Sequence, residues 1–484
     1  MPKSLRTFME DVKNKLPGEF ITITEEVNPA DFEVTAIIKK LDELKKFPVI
    51  LFENVLNLHG KRSEVRVLMN EAISQNKVQV SLDLPFTTDR VQIAEKCLEL
   101  EERRVKPIVI SQSDAPVKEV VQLGDDVDLY DLPILRHHYM DGGPYIVMPT
   151  VVKDKDSGIY NTSYHRMEIK NPKLTALYSS PRHLWKIFRD YEDRDEPCPA
   201  ATVIGHHPAF NMGAAYKGPF SVDEYDIIGG YLNEPLRLVP SETFGKELLV
   251  PADAEIIVEG VLVPHERITE GPFGEAPGYQ GPQRYDNSLK FEITAITRRK
   301  DAIHVSIITP EGDKPWMDMA REGAYLRRVR EAVPTVKAVC KGGRHAHYNI
   351  FISMKKMAEG DPGRAAAAAL TFDHTKNVFV FDEDIDVFNP TDILWALATR
   401  VQPYQQISII KPILRGNMLD PSLQVTQEDI KTSGMIVDAT RPFGKPYSPV
   451  TKCPDDVMKR IELKKFISEE VLNKIPLDRT SYWA

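Results

Sequence analysis

Glu255-Ile256-Ile257-Val258-Glu259-Gly260-Val261-Leu262-Val263 is followed, after six residues, by Glu270-Gly271-Pro272-Phe273-Gly274-Glu275-Ala276-Pro277-Gly278-Tyr279. The first run is rich in β-branched residues and predicts a strand. The second is a Gly/Pro turn carrying two carboxylates, where backbone can come close to a ligand. Downstream, Phe291 to Arg298 alternates apolar and polar residues, and Asp301 opens a turn into His304-Val305-Ser306-Ile307-Ile308. These two runs predict an antiparallel pair, and roughly 117–310 reads as an antiparallel sheet or barrel.

The flanks differ. Ser4–Leu16, Phe32–Phe47, Ser63–Ile73 and Arg90–Arg104 have helical apolar spacing, and Pro48–Phe52 reads as a buried strand. Ser111–Pro116 is turn chemistry that closes this N-terminal α/β region. On the far side, Met317–Val333, Arg364–Leu370 and Asp455–Phe466 read as helices, and His347–Met354 and Asn377–Phe381 as strands.

The chain has 484 residues, a 42% share of hydrophobic residues and a formal net charge of -9. That suits a multidomain globular protein and argues against non-specific nucleic-acid binding. No apolar run approaches the ~20 residues of a membrane span. Met1 to Arg6 leads into a polar helical pattern without a signal-peptide core, so no membrane partner and a cytoplasmic location are expected. Cys97, Cys198, Cys340 and Cys453 are far apart and read as packing residues. No GxGxxG after a strand, Walker loop, HExxH, GxSxG or EF-hand loop occurs. His137-His138 and His206-His207 are adjacent pairs, and neighbours on a strand face opposite ways. Surface or hydrogen-bonded loop histidines are therefore expected.

Two carboxylates in a closed pocket can divide roles, one ionised and one carrying a proton. A solvated acidic turn explains Glu270 and Glu275 equally well at this level. Glu270-Gly-Pro-Phe-Gly-Glu275 with Gly278-Tyr279, however, closely resembles the signature of the UbiD family of reversible decarboxylases. The similarity runs over roughly 115–400. It includes Val250–Ile256 with Glu259-Gly260 as the strand leading into the signature. Asp223-Glu224-Tyr225 with Gly229-Gly230 resembles the helix bearing a metal-binding glutamate. Asn161 and Arg166 resemble a cofactor segment, and Ser180-Pro181-Arg182-His183 a cofactor strand. Thr375–Val378, Asp382–Asp386, Trp395-Ala396 and Thr399-Arg400 resemble the C-terminal part.

The resemblance implies an α+β chain of three units. These are an N-terminal α/β domain (1–115), a central split β-barrel flavin-binding domain (116–312) and a C-terminal α/β oligomerisation domain (313–484). It implies a carboxy-lyase acting on an aromatic, heteroaromatic or α,β-unsaturated acid with prenylated FMN. A separate flavin prenyltransferase supplies that cofactor. Manganese or another divalent metal ties the cofactor phosphate to the protein, often with a potassium ion nearby. Homo-oligomers, dimers or hexamers, are typical.

Carried over, Asn161, His183 and Glu224 are the metal ligands, a set that suits a hard-to-borderline ion. Arg166, Glu270 and Glu275 form the catalytic group. Arg166 is a permanent cation that can grip a carboxylate bidentately, Glu270 pairs with it, and Glu275 is the proton donor, for which a desolvated pocket is apt. Tyr164, His165 and Arg182 join the cofactor segment, and Lys376 could neutralise the phosphate. This chain departs from many relatives at Ser163, where glycine is common, at His165, where tyrosine is common, and at Gln280, where a second tyrosine is frequent. Arg284, His345 and His347 are minor candidates for substrate contact. Net carboxylation, an FMN-dependent oxidoreductase on the same barrel and a non-catalytic subunit of a carboxylase complex are the alternatives. The paired glutamates argue against the oxidoreductase, and the retained trio against the subunit.

Overall fold

The computed structural model describes residues 1–280, 284–308, 314–342, 348–372, 374–416, 419–423, 431–451 and 454–474. Six strands close into a barrel. They are β1 (Tyr145–Lys153), β2 (Tyr160–Asn171), β3 (Leu174–Leu177), β4 (Cys198–Ile204), β5 (Ile256–Glu270) and β6 (Tyr285–Arg298). The order is β5-β4-β1-β2-β3-β6, and β6 pairs back onto β5. Every pairing in the ring is antiparallel. Closure leaves no free edge for stray strand pairing.

Strand β5 divides its side chains between two cores. Ile256, Val258 and Leu262 join one buried cluster and Ile257 the other, as a period of two requires. Glu270 is the last residue of β5, so the barrel register fixes where it stands. The expected α+β architecture with a central barrel is therefore what forms.

Two local expectations need correction. Ser63–Ile73 is not a helix; Arg66–Met69 is a strand. The run Val67, Leu68 and Met69 is buried residue by residue, and a short continuous apolar run looks alike to either period. His304–Ile308 does not pair with 291–298. Instead Ile303–Val305 lies parallel to Arg66–Leu68 in a four-stranded sheet with Phe20–Ile23 and Val49–Phe52. The chain thus leaves the barrel and returns to the N-terminal sheet.

The helices begin where sequence chemistry starts them. Ser4 and Asp89 each make a reciprocal capping box, opening helices Leu5–Lys15 and Arg90–Arg103. The C-terminal unit is a five-stranded mixed sheet in the order Val336–Lys341, Asn349–Met354, Asn377–Asp382, Lys431–Ala439, Ile407–Arg415. A helix over Lys314–Ala332 joins it to the barrel. Asp455–Phe466 is helical only over Asp455–Arg460, with a single 3-10 turn at Leu463–Lys465. Among the described residues no helix is long and apolar enough to cross a membrane. Cys97, Cys198 and Cys340 are buried free thiols; Cys453 lies outside the described residues.

The adjacent histidine pairs are not at the surface. His137, His206 and His207 are all buried. His137 Nε2 lies 2.9 Å from Ser306 Oγ, and His207 accepts from the backbone N–H of Ala209 at 3.2 Å. Burial lowers His137 and His206 to about 3 and the nearby His304 to about 4. These rings stay neutral in the fold, while the unfolded chain takes up their protons near pH 6.5. Stability is therefore complete above pH 6.5 and is lost as pH falls toward the folded values. Between pH 7.5 and 5.5 each ring should cost about 1.4 kcal/mol. Denaturant midpoints at those two pH values check this; equal midpoints would mean the rings charge without unfolding.

Candidate active site

Strand β2 carries the densest set of polar groups. Asn161, Ser163 and His165 alternate onto one face, as period two dictates. Ser163 Oγ lies 3.1 Å from Asn161 Oδ1 and 2.9 Å from His165 Nε2. His165 Nδ1 lies 3.0 Å from the Tyr178 carbonyl oxygen. Burial lowers the His165 ring to about 4 against the opposing pull of that carbonyl. The imidazole is neutral, so the Ser163/His165 variation adds a polar chain to the wall without adding charge.

Arg166, next on the strand, is the charge centre. Its Nε and Nη2 donate to Glu270 Oε1 and Oε2 at 2.9 and 3.0 Å, a bidentate pair. Its Nη1 forms an ion pair with Glu275 Oε1. Burial works against the Arg166 charge, but Glu270 holds the guanidinium above its ordinary value. The rings of Tyr178, Tyr285 and Phe273 stand 4.3, 5.1 and 5.4 Å from it, so cation and carboxylates lie in an aromatic box. Tyr145 donates to Glu270 Oε1 at 2.8 Å, and Glu168 Oε2 stands 3.3 Å from the same hydroxyl. Glu168 Oε2 also accepts the Gly271 N–H at 2.8 Å, which grips the backbone just after Glu270.

A second cluster forms where two helices begin. His183 and Glu224 are the first residues of helices His183–Glu192 and Glu224–Leu232, whose N-termini favour negative charge. Glu224 Oε1 accepts from Asn161 Nδ2 at 2.9 Å and lies 3.6 Å from His183 Nδ1. Its Oε2 accepts the Thr162 N–H at 2.5 Å. Burial raises the Glu224 carboxyl, while His183, Thr162 and Asn161 pull it back. An amide, an imidazole and a carboxylate converge here, a donor set that fits a divalent cation. The amide of Asn161 can present either of its atoms.

One cavity of about 1040 Å³ contains both clusters. Asn161, Tyr164, His165, Arg166, Arg182, His183, Glu224 and Glu275 all line it. Glu270 lies fully buried behind Arg166. Lys376 stands apart from the lining and is paired with Asp420 at 2.9 Å and with Ser422 Oγ at 2.5 Å. Arg182 and His183 are not on a strand; they start a helix, with Arg182 as its N-cap. Arg284 is exposed, and His345 and His347 lie outside the described residues. Sequence reading missed Tyr145, which bonds Glu270, and Glu168 and Asp141, which accept backbone N–H groups of the turn between Glu270 and Glu275. It also missed Lys217 and Arg321 in the cavity wall. For Tyr145 the signal existed but was masked, since Pro149 interrupts an otherwise plain strand pattern in β1.

Comparison with known proteins gives this geometry its context. Three family profiles cover most of the chain. The 3-octaprenyl-4-hydroxybenzoate carboxy-lyase N-terminal domain matches residues 15–97, its Rift-related domain 108–312 and its C-terminal domain 316–439. Anhydromevalonate phosphate decarboxylase of Methanothermobacter thermautotrophicus is 31% identical over 90% of this chain and 97% of its own length. Phenolic acid decarboxylase of Sedimentibacter hydroxybenzoicus is 29% identical over 92% and 93%. The UbiD-class enzyme HmfF from Pelotomaculum thermopropionicum, solved in complex with FMN, superposes with a TM-score of 0.85 at 34% identity, covering 96% of this chain and 100% of that one. An evolved dimeric form of HmfF, solved with prFMN, gives 0.82 at 32%, covering 96% and 100%. Barrel, paired glutamates and these relatives define a carboxy-lyase. The chain belongs to the UbiD family, whose three domains it carries in order.

Proposed function

We propose that this protein is a reversible, non-oxidative decarboxylase of an aromatic, heteroaromatic or α,β-unsaturated acid that uses prenylated FMN. The observation that carries the reading is the placement of Glu275 and Glu270 on one buried arginine, in the cavity that also holds Asn161, His183 and Glu224. When bound, the cofactor supplies the electron sink for loss of carbon dioxide. Asn161, His183 and Glu224 would hold manganese or a similar ion at its phosphate, with potassium nearby. Arg166 orients the carboxylates and balances their charge. Glu275 delivers the proton to the carbon that has lost its carboxylate and takes it back in the carboxylation direction. The aromatic rings around Arg166 favour a flat substrate.

The working units are 1–115, 116–312 and 313–484, in the cytoplasm. Self-association through the last unit is supported by its edge strand. Ile409 and Ile413 of Ile407–Arg415 are 67% and 77% exposed. Light scattering should report a dimer or hexamer.

The decisive experiment is co-expression with a flavin prenyltransferase, anaerobic purification, and mass spectrometry of the extracted ligand. Carbon dioxide release is then measured from furan-2-carboxylate, pyrrole-2-carboxylate, 4-hydroxybenzoate and cinnamate. Prenylated FMN with turnover is the expected result. Plain FMN despite an active prenyltransferase would favour an oxidoreductase, and no flavin would favour a non-catalytic subunit. Glu224→Gln should purify with at least about tenfold less divalent metal, read by elemental analysis. Unchanged metal content would remove Glu224 from the ligand set.

A further inference from the structure

Glu275 heads a closed turn. Its N–H donates to the Tyr279 carbonyl at 2.9 Å, and the Gly278 N–H donates to the Glu275 carbonyl at 2.8 Å. Gly274 and Gln280 pair across the base of the turn as an antiparallel bridge. Both residues of that bridge are bound by one buried carboxylate more than 130 positions away. Asp141 Oδ1 accepts from the Gly274 N–H at 2.8 Å and from Gln280 Nε2 at 3.2 Å. Asp141 Oδ2 accepts from the His138 N–H at 2.7 Å.

The backbone around Asp141 lies directly on the catalytic loop. The Gly142 N–H donates to the Pro272 carbonyl at 2.8 Å. A Cβ on Gly142 would meet the Gly271 carbonyl oxygen at 2.7 Å, and one on Gly274 would enter the His138 ring. Approach this close needs glycine on both sides. Glu168 grips the Glu270 end of the loop through the Gly271 N–H, and Asp141 grips the Glu275 end.

We propose that Asp141 is the positioning residue for Glu275, holding the turn that aims its carboxyl into the cavity. The inference rests on Glu275 being the proton donor. An anion accepting two donors on one oxygen makes charge-assisted bonds that a neutral group cannot reproduce. In Asp141→Asn an NH₂ group must face either His138 N–H or the Gly274–Gln280 pair of donors, so one side of the grip is lost.

The test uses the cofactor-loaded full chain with Asp141→Asn and, as a milder change, Gln280→Ala. Backbone hydrogen exchange is followed by mass spectrometry in peptides spanning 270–280, together with kcat and KM on whichever of the four acids above the wild type consumes. The Gly274 and Glu275 amides should exchange at least about tenfold faster. At the same time kcat should fall about 10–100-fold with KM and the flavin spectrum unchanged. Unchanged exchange in both variants would overturn the proposal, as would unchanged kcat with a loosened turn, or equal losses in kcat, KM and cofactor content. A wild type that consumes none of the acids defeats the functional reading alone. The exchange comparison still decides whether Asp141 holds the turn.

Discussion

Glu275→Gln lowers turnover by about 10²–10⁴-fold while leaving fold and cofactor content intact. Glutamine keeps the shape of the side chain and removes its transferable proton. The loss should fall on kcat and on exchange of the product's ring proton with D₂O, since both pass through the same carboxyl. Glu275 lines the cavity, so the change creates no void and leaves no buried charge without its partner. Arg166 retains the bidentate pair with Glu270. Turnover within twofold of wild type would remove Glu275 from the mechanism.

Arg166→Met should be the most damaging single substitution for stability, costing about 3–5 kcal/mol. Glu270 is completely buried and Glu275 nearly so. Taking away their shared cation leaves two carboxylates facing an aromatic box, with Tyr145 as the remaining donor to Glu270. Urea denaturation measures the cost. The double variant Arg166→Met with Glu270→Gln should recover part of it, because the coupling between the two sites is then absent on both sides. A single variant as stable as wild type would mean that the pair contributes orientation and little else.

Much of the architecture was legible because its strongest signals are local. The β-branched run 255–263 and the alternation of 291–298 mark β5 and β6, and apolar spacing marks the helices that begin near Ser4 and Arg90. Signals failed where tertiary context overrides the local pattern. Pro149 conceals β1, and the apolar run near 66–69 fits two periods. The partner of Ile303–Val305 lies more than 230 residues earlier in the chain. Within the site, the residue types in 270–279 raised the question of paired carboxylates, and family resemblance gave Arg166, Asn161, His183 and Glu224 their expected roles. Asp141, Tyr145 and Glu168 could not be found that way. They act on other protein groups across separations of 133, 125 and 103 positions, and no spacing rule links residues so far apart. Lys376 shows the converse. Family resemblance suggested a phosphate partner for it, yet nearby Asp420 and Ser422 engage its ammonium group.

The cavity's two walls come from different parts of the chain. Arg166 and Glu270 belong to a ring of strands with no free edge, and Glu275 to the turn that leaves it. The facing wall is built from Arg321, Arg327 and Arg328 on the linking helix, with Phe372, His374 and Leu419 of the C-terminal unit. Inheritance can therefore act on the two walls separately. A lineage can try new side chains opposite the barrel, and with them new acids, without disturbing the register that sets the ion-paired glutamates.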